Sequence, residues 1–359
     1  MHGQRSDDRR GGGPPACGRG AGRPGPRCAT LAAAGVAVTA PAGQGEVASA
    51  GNPSALDRSA LDRLDPLAIR RLLRDEGLRT RHSLSQNFLA DPDVLEAILV
   101  EAGASPGDRI LEIGPGLGIL TAALLAAGAA VTAVELDRRL AALLRDRFEG
   151  VVIDGASRTP GPGELRLIEG DALDQDLPGL VPPPYQVVAN LPYHITSPIL
   201  HRLLDRGPRP ERMVLMVQWE VAERLAAPPG RMSYLSVFVQ YHARVRIARR
   251  VPAAAFEPAP AVDSAVIIVE PHRPGSLAGT DDPAAVAADD ELWALVQAGF
   301  RERRKMLHNV LVRQLGLPAV RVDAALAAAG IDRDRRPQTL SVGEWLALRS
   351  ALDGLRTGG

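Results

Sequence analysis

The chain has 359 residues, 45% of them hydrophobic and 23% charged, with 42 basic and 42 acidic side chains. That length permits more than one domain and a sizeable core, while a net charge of zero excludes a global field for nucleic acid, so any such partner must be gripped by local clusters. No apolar run reaches the roughly 18 residues a membrane span needs, and both cysteines, Cys17 and Cys28, lie in the N-terminal stretch, which leaves the remainder without a disulfide framework or a cysteine metal site.

Residues 1–60 are rich in Gly, Pro, Ala and Arg and are expected to form a disordered tail, because they cannot bury enough apolar surface to offset their ordering entropy. A leader peptide around Ala29–Pro41, or a start assigned too early, are the other readings of this stretch. From about Leu61 the texture changes. DPDVLEAILVEAG predicts an amphipathic helix with Asp91 as N-cap, Pro92 at the first helical position and Gly103 closing it. Strand and helix patterns then alternate: DRILEIG, LGILTAALLAAG, AVTAVEL, DRRLAALLRDRFE, LRLIEGDAL, YQVVANLPY, SPILHRLLDRG, RMVLMVQ and EVAERLAA. Strands separated by helical crossovers imply a parallel sheet covered on both faces. RVRIARRV and SAVIIVE follow without a long helix between them, which fits an antiparallel pair at one edge. The expected catalytic domain is 61–273, followed by a linker at 274–290 and a small all-α domain at 291–359 built from three helical patterns.

ILEIGPGLGILT carries three glycines at alternate positions, Gly114, Gly116 and Gly118, between a strand and a helix. Glycine lets the backbone adopt positive φ and pass close to a ligand, and the helix start offers free N–H groups. Glu135 ends the next strand about twenty residues on, where a carboxylate can accept from ribose hydroxyls. The spacing G-x-G-x-G, with Glu112 two before the first glycine, departs from the dinucleotide fingerprint and resembles the first motif of S-adenosylmethionine-dependent methyltransferases. Asp171, with Ala172 beside it, comes at the end of the third strand, where it can accept from an adenine amino group.

The fourth strand ends in Asn190, Leu191, Pro192 and Tyr193. Methyl transfer to the exocyclic amine of adenine needs acceptors for its two N–H groups, because the nitrogen lone pair is delocalised into the ring. The Asn190 amide oxygen and the Leu191 carbonyl suffice. Pro192 stiffens the segment, and Tyr193 offers a face on which a base swung out of its stack can rest. No strong general base is needed, since the methylated amine is acidic enough to lose its proton to water. Alignment and polar orientation then carry the catalysis.

SQNFL, EIGPGLG, VELD, GDAL, NLPY, QWEVAERL, FEPAPAVDSAV and FRERRKMLHNVL, in this order from about His82 to Ser341, resemble the ribosomal RNA adenine N6-dimethyltransferases. The resemblance implies a Rossmann-like class I S-adenosylmethionine-dependent methyltransferase fold. Its mostly parallel seven-stranded sheet would have an antiparallel edge, with a C-terminal helical RNA-binding domain following. It implies S-adenosyl-L-methionine as cofactor, held by Asn87, Leu89, Gly114, Gly116, Glu135, Asp171, Ala172 and Asn190, with no metal. Phe256 would stack on the target base opposite Tyr193. The expected substrate is two adjacent adenosines near the 3′ end of 16S rRNA within an immature 30S subunit, methylated by a cytoplasmic monomer with no membrane partner. The sequence departs from the family pattern at Ser85, Trp219 and Ala261 and, in PPGRMSYLSV, lacks the glycine usual after the position of Tyr234, all in loops the resemblance assigns to RNA.

Arg301, Arg303, Arg304 and Lys305, with Arg313 beyond, form a basic cluster expected on the first C-terminal helix. Arg244, Arg246, Arg249 and Arg250 punctuate an edge strand, and Arg79 and Arg81 precede SQNFL. These are the candidate phosphate contacts, against the alternative of solvated charged faces. Rival readings are a 23S rRNA adenine N6-methyltransferase of the macrolide-resistance type, a non-catalytic assembly or transcription factor on the same fold, and a small-molecule methyltransferase. NLPY and the RRK-bearing stretch favour the small-subunit enzyme.

Overall fold

An eight-stranded sheet in a computed structural model carries the rim on which every candidate ligand residue from Gly114 to Asn190 sits. Residues 66–75, 77, 87–153, 158–205, 207–272, 283–302 and 304–357 are described. The expected tail at 1–60, together with Arg79, Arg81, Ser85 and Arg303, lies outside them.

In chain order the elements are α1 (Pro66–Asp75), β1 (Phe88–Leu89), α2 (Pro92–Ala102), β2 (Arg109–Ile113), α3 (Ile119–Ala126), β3 (Ala130–Glu135), α4 (Arg138–Arg147), β4 (Val152–Ile153), β5 (Leu165–Glu169) and α5 (Leu177–Leu180). Then come β6 (Gln186–Asn190), α6 (Thr196–Leu204), β7 (Arg212–Gln218), α7 (Trp219–Leu225), α8 (Tyr234–His242), β8 (Ala243–Val251), β9 (Phe256–Glu257) and β10 (Ser264–Pro271). Four helices follow: α9 (Pro283–Phe300), α10 (Leu307–Leu315), α11 (Ala319–Ala328) and α12 (Val342–Thr357).

The sheet order is β4-β5-β3-β2-β6-β7-β10-β8. β4 to β7 run parallel, and β10 pairs antiparallel with both β7 and β8. The expected antiparallel pair is therefore present, and the two-residue β4 makes eight strands rather than seven. Two residues carry no periodicity that could announce a strand. Alternate residues feed opposite faces. Leu111, Ile113, Val187 and Leu215 join one core, while Ile110, Val131, Val188 and Val214 join the other. β8, with its exposed arginines, forms the charged edge that discourages further pairing.

Local chemistry fixes the helix ends. Asp91 Oδ1 accepts from Asp93 N at 2.9 Å and Val94 N at 3.2 Å, and Gly103 closes α2 in the left-handed region, both as read from the sequence. α8 was expected as part of a loop. It is capped by a Ser233–Ser236 box and buried on both sides. Leu235, Phe238 and Val239 join the sheet's core, and Val237 and Tyr241 join that of the C-terminal helices. A helix apolar all round lacks the stripe that marks one in sequence.

The first C-terminal pattern is two helices, not one. It breaks between Phe300 and Leu307, where RERRK offers nothing to bury. α9 begins at Pro283, inside the stretch expected as a linker. Among the described residues no helix is long and apolar enough to cross a membrane.

Candidate active site

Parallel strands deliver their carboxyl ends to a single rim, and hydrogen bonds just beyond the strands lock it. Gly114 N donates to Val134 O at 2.9 Å, Gly170 N to Glu135 O at 2.8 Å and Leu191 N to Met216 O at 3.1 Å. At this rim lies a cavity of ≈ 300 Å³. Asn87, Leu89, Gly114, Gly116, Glu135, Asp171, Ala172, Asn190, Leu191, Pro192 and Tyr193, all candidates from the sequence, line it.

Gly114, Gly116 and Gly118 have φ of +72°, +60° and +74°, which side chains rarely adopt. A Cβ at Gly118 would stand 2.6 Å from Leu144 Cδ2 and 2.7 Å from Phe148 Cε2, so the turn is also sterically required. Phe88 packs over Gly116, whose added Cβ would meet its ring at 3.1 Å. The Phe88 strand reaches this place through β9: Phe88 pairs with Glu257, and Leu89 with Phe256. An ion pair from Arg70 Nε to Glu257 Oε1 at 2.7 Å ties α1 to the same ribbon.

Glu135 Oε2 accepts from Gly116 N at 3.0 Å and Oε1 from Asp137 N at 2.8 Å. Burial pushes this carboxyl up, and those backbone N–H groups oppose the shift. A carboxylate offers about four acceptor positions, so acceptor capacity remains for a ligand hydroxyl. Glu112, also in the cavity wall, accepts from Thr121 Oγ1 at 2.7 Å, and burial pushes it up to about 8. Asp171 Oδ1 accepts from Leu173 N at 2.8 Å. Among the described residues, Glu112, Glu135, Asp137 and Asp171 line the cavity, and no Lys or Arg does. These acceptors suit a ligand with positive charge and hydroxyl groups, and Leu136, 47% exposed, adds an apolar face beside them.

Asn190 Nδ2 donates to Asn87 O at 3.3 Å, which leaves its Oδ1 as an acceptor. Tyr193 opens a short 3-10 turn, and its hydroxyl is 3.0 Å from Ser264 Oγ. Phe256 does not join Tyr193 in the cavity wall. It is 3% exposed and belongs to the core with Leu89, Val94 and Val266. In this structure it anchors β9 in that core. Sequence reasoning did not assign Leu136, Asp137, His194 and Met216 to the cavity, though the first two directly follow Glu135.

Residues 77–353 match the family described as ribosomal RNA adenine dimethylase. The chain belongs to that family. Proteins named ribosomal RNA small subunit methyltransferase A from Geobacter sulfurreducens and Anaeromyxobacter sp. (strain K) are each 42% identical to it. The first aligns over 78% of this chain and 98% of its own length, the second over 79% and 97%. Among solved structures, the 23S rRNA methyltransferase ErmE is 29% identical, covers 74% of this chain and 100% of its own, and superposes with a TM-score of 0.57. A dimethyladenosine transferase from Plasmodium falciparum is 26% identical, covers 73% and 95%, and superposes at 0.56. This dimethylase is thus an S-adenosyl-L-methionine-dependent enzyme acting on ribosomal RNA.

The basic clusters of the dimethylase differ from their expected form. Arg301, Arg304 and Lys305 stand on the turn between α9 and α10 rather than on a helix. Arg304 and Lys305 are exposed, while Arg301 donates to Gln314 Oε1 at 2.9 Å and Arg313 pairs with Glu302 at 2.7 Å. On β8, Arg244 pairs with Glu270 at 2.7 Å and Arg246 with Glu101. Arg249 donates to Asp93 O at 3.0 Å, and Arg250 pairs with Asp263 at 2.9 Å. Much of the edge-strand charge is thereby balanced within the protein.

Proposed function

We propose that this dimethylase converts two adjacent adenosines near the 3′ end of 16S rRNA to N6,N6-dimethyladenosine. In this reading it acts as a cytoplasmic monomer on an immature 30S subunit. When bound, S-adenosyl-L-methionine supplies a methyl group activated by a positive sulfonium. Glu135 holds the ribose hydroxyls of this donor, Asp171 and Ala172 its adenine, and Gly114 and Gly116 the backbone surface beneath it. Asn87 and Leu89 cover it from the β1 side.

Asn190 Oδ1 and the Leu191 carbonyl accept the two N–H groups of the target amine. That grip draws the nitrogen towards tetrahedral geometry and returns its lone pair from the ring. Pro192, with φ −55° and ψ 131°, holds the turn that aims the carbonyl. Tyr193 carries the flipped base on its face, a contact of roughly 1–3 kcal/mol. The new substituted amine releases its proton to water, so no carboxylate is assigned as base.

The observation that carries this reading is the Asn190 amide. Its nitrogen is taken by Asn87 O, so its oxygen is the acceptor at a cavity lined by acidic residues. Relatives bearing the small-subunit name are 42% identical, against 29% for the 23S enzyme, which favours the small subunit as substrate. Incubation with labelled S-adenosylmethionine and under-methylated 30S particles tests it. Label on N6 of two neighbouring adenosines near the 3′ end supports the proposal; label in 50S particles alone sinks it.

A further inference from the structure

β7, β10 and β8 bring Trp219, Asp263 and Arg250 together at the rim, beside the target-base seat. Ser264 pairs with Gln218 on one side and Val251 on the other, so Trp219 lies opposite Asp263, while Arg250, whose partner is Ala265, reaches diagonally to Asp263 with its side chain. Asp263 directly precedes Ser264, whose hydroxyl meets that of Tyr193 at 3.0 Å.

The three residues form an ordered unit. The Arg250 guanidinium lies over the Trp219 ring, 4.7 Å from its centre. Arg250 Nε and a terminal nitrogen both reach Asp263 Oδ2, at 3.0 and 2.9 Å. Asp263 is itself fixed: its Oδ1 accepts from Ala253 N at 3.0 Å, and its carbonyl accepts from Trp219 N at 2.9 Å. The Arg250 side chain nonetheless remains 60% exposed. One face of the guanidinium is thus covered by indole, one edge is neutralised by a carboxylate, and the remaining surface faces water.

We infer that Arg250, laid flat on Trp219 and held by Asp263, is a stacking plane for a second nucleobase of the RNA, next to the one on Tyr193. The inference rests on the reading that an RNA adenosine occupies the cavity. A guanidinium whose charge is already balanced is a poor phosphate clamp. Its planar, weakly hydrated face still stacks on a base, and a lysine ammonium cannot replace it there.

The test compares wild type with Arg250→Lys, Arg250→Gln and Trp219→Ala in two assays. One is methylation of under-methylated 30S particles. The other is quenching and anisotropy of a single-stranded oligoribonucleotide carrying 2-aminopurine beside an adenosine. Arg250→Lys keeps the charge and loses the plane. It is expected to weaken both readouts about tenfold, as much as Arg250→Gln does, with the salt dependence of binding unchanged. Trp219→Ala should show the same loss in the second assay. Wild-type behaviour of Arg250→Lys, or a flattened salt dependence in Arg250→Gln, overturns the inference. Wild type that leaves 30S particles unmethylated yet shows Arg250-dependent quenching overturns the substrate reading and upholds the stacking plane.

Discussion

Asn190 and Asn87 meet across 103 positions of sequence, amide nitrogen to backbone carbonyl at 3.3 Å. This contact joins the end of β6 to the Asn87 segment of the cavity wall, and it orients the amide that we propose grips the target amine. Asn190→Ala removes one of two acceptors and should lower single-turnover methyl transfer by about 10²–10³-fold. Affinity for 30S particles should be largely preserved, since the backbone and Tyr193 remain. Turnover near wild type would refute the role given to Asn190.

Tyr193 offers two separable groups, its ring and its hydroxyl. Tyr193→Phe loses the bond to Ser264 Oγ but keeps the ring, and should cost only about 0.5–1.5 kcal/mol of stability with modest loss of rate. Tyr193→Ala loses the stacking face and should lower kcat/KM on 30S particles by roughly one to two orders of magnitude. Equal effects in steady-state assays of the two variants would argue against stacking.

Strands β2, β3, β5 and β6, the glycine turn and the cap at Asp91 were all legible, because burial, positive φ and capping each demand particular residue types at fixed spacing. Cavity-lining positions from Gly114 to Tyr193 were legible because they lie at or just beyond the ends of readable strands. α8 was hidden because it is buried on both sides. The β1–β9 ribbon was hidden because two-residue strands far apart in sequence leave no local pattern. Arg301, Arg304 and Lys305 read as helical from composition, but the break at Met306, whose backbone is extended with ψ 142°, sets them on a turn. Phe256 was placed by resemblance alone, and its burial was not something its neighbours could announce.

Gly118 and Gly150 separate strain from crowding. Both have positive φ, +74° and +89°, but only Gly118 has atoms closer than 3 Å to an added Cβ. Gly150→Ala should cost about 1–2 kcal/mol from the left-handed backbone alone. Gly118→Ala adds overpacking against Leu144 and Phe148, for a total of roughly 3 kcal/mol. Urea unfolding of both variants checks the order, and equal losses would contradict it.

Glu112 makes stability depend on pH. Its carboxyl is raised from 4.5 in the unfolded chain to about 8 in the fold, mainly by burial. Between those values the native state holds a proton that the unfolded state has lost, so this group's contribution is fully present below pH 4.5 and is lost as pH rises through about 8. Glu112→Gln removes the titration. The unfolding free energy of wild type relative to Glu112→Gln should therefore fall between about pH 5 and about pH 8.5. A constant difference across that range would refute the raised carboxyl.

The central claim is that an adenine amine is gripped at residue 190 in line with the methyl group of the donor. A crystal structure with S-adenosylmethionine bound measures this most directly. The account predicts the adenosyl group against Glu135 and Asp171, with the methyl carbon directed at Asn190 Oδ1. A donor bound elsewhere, or bound at the rim with its methyl turned away from Asn190, would contradict it.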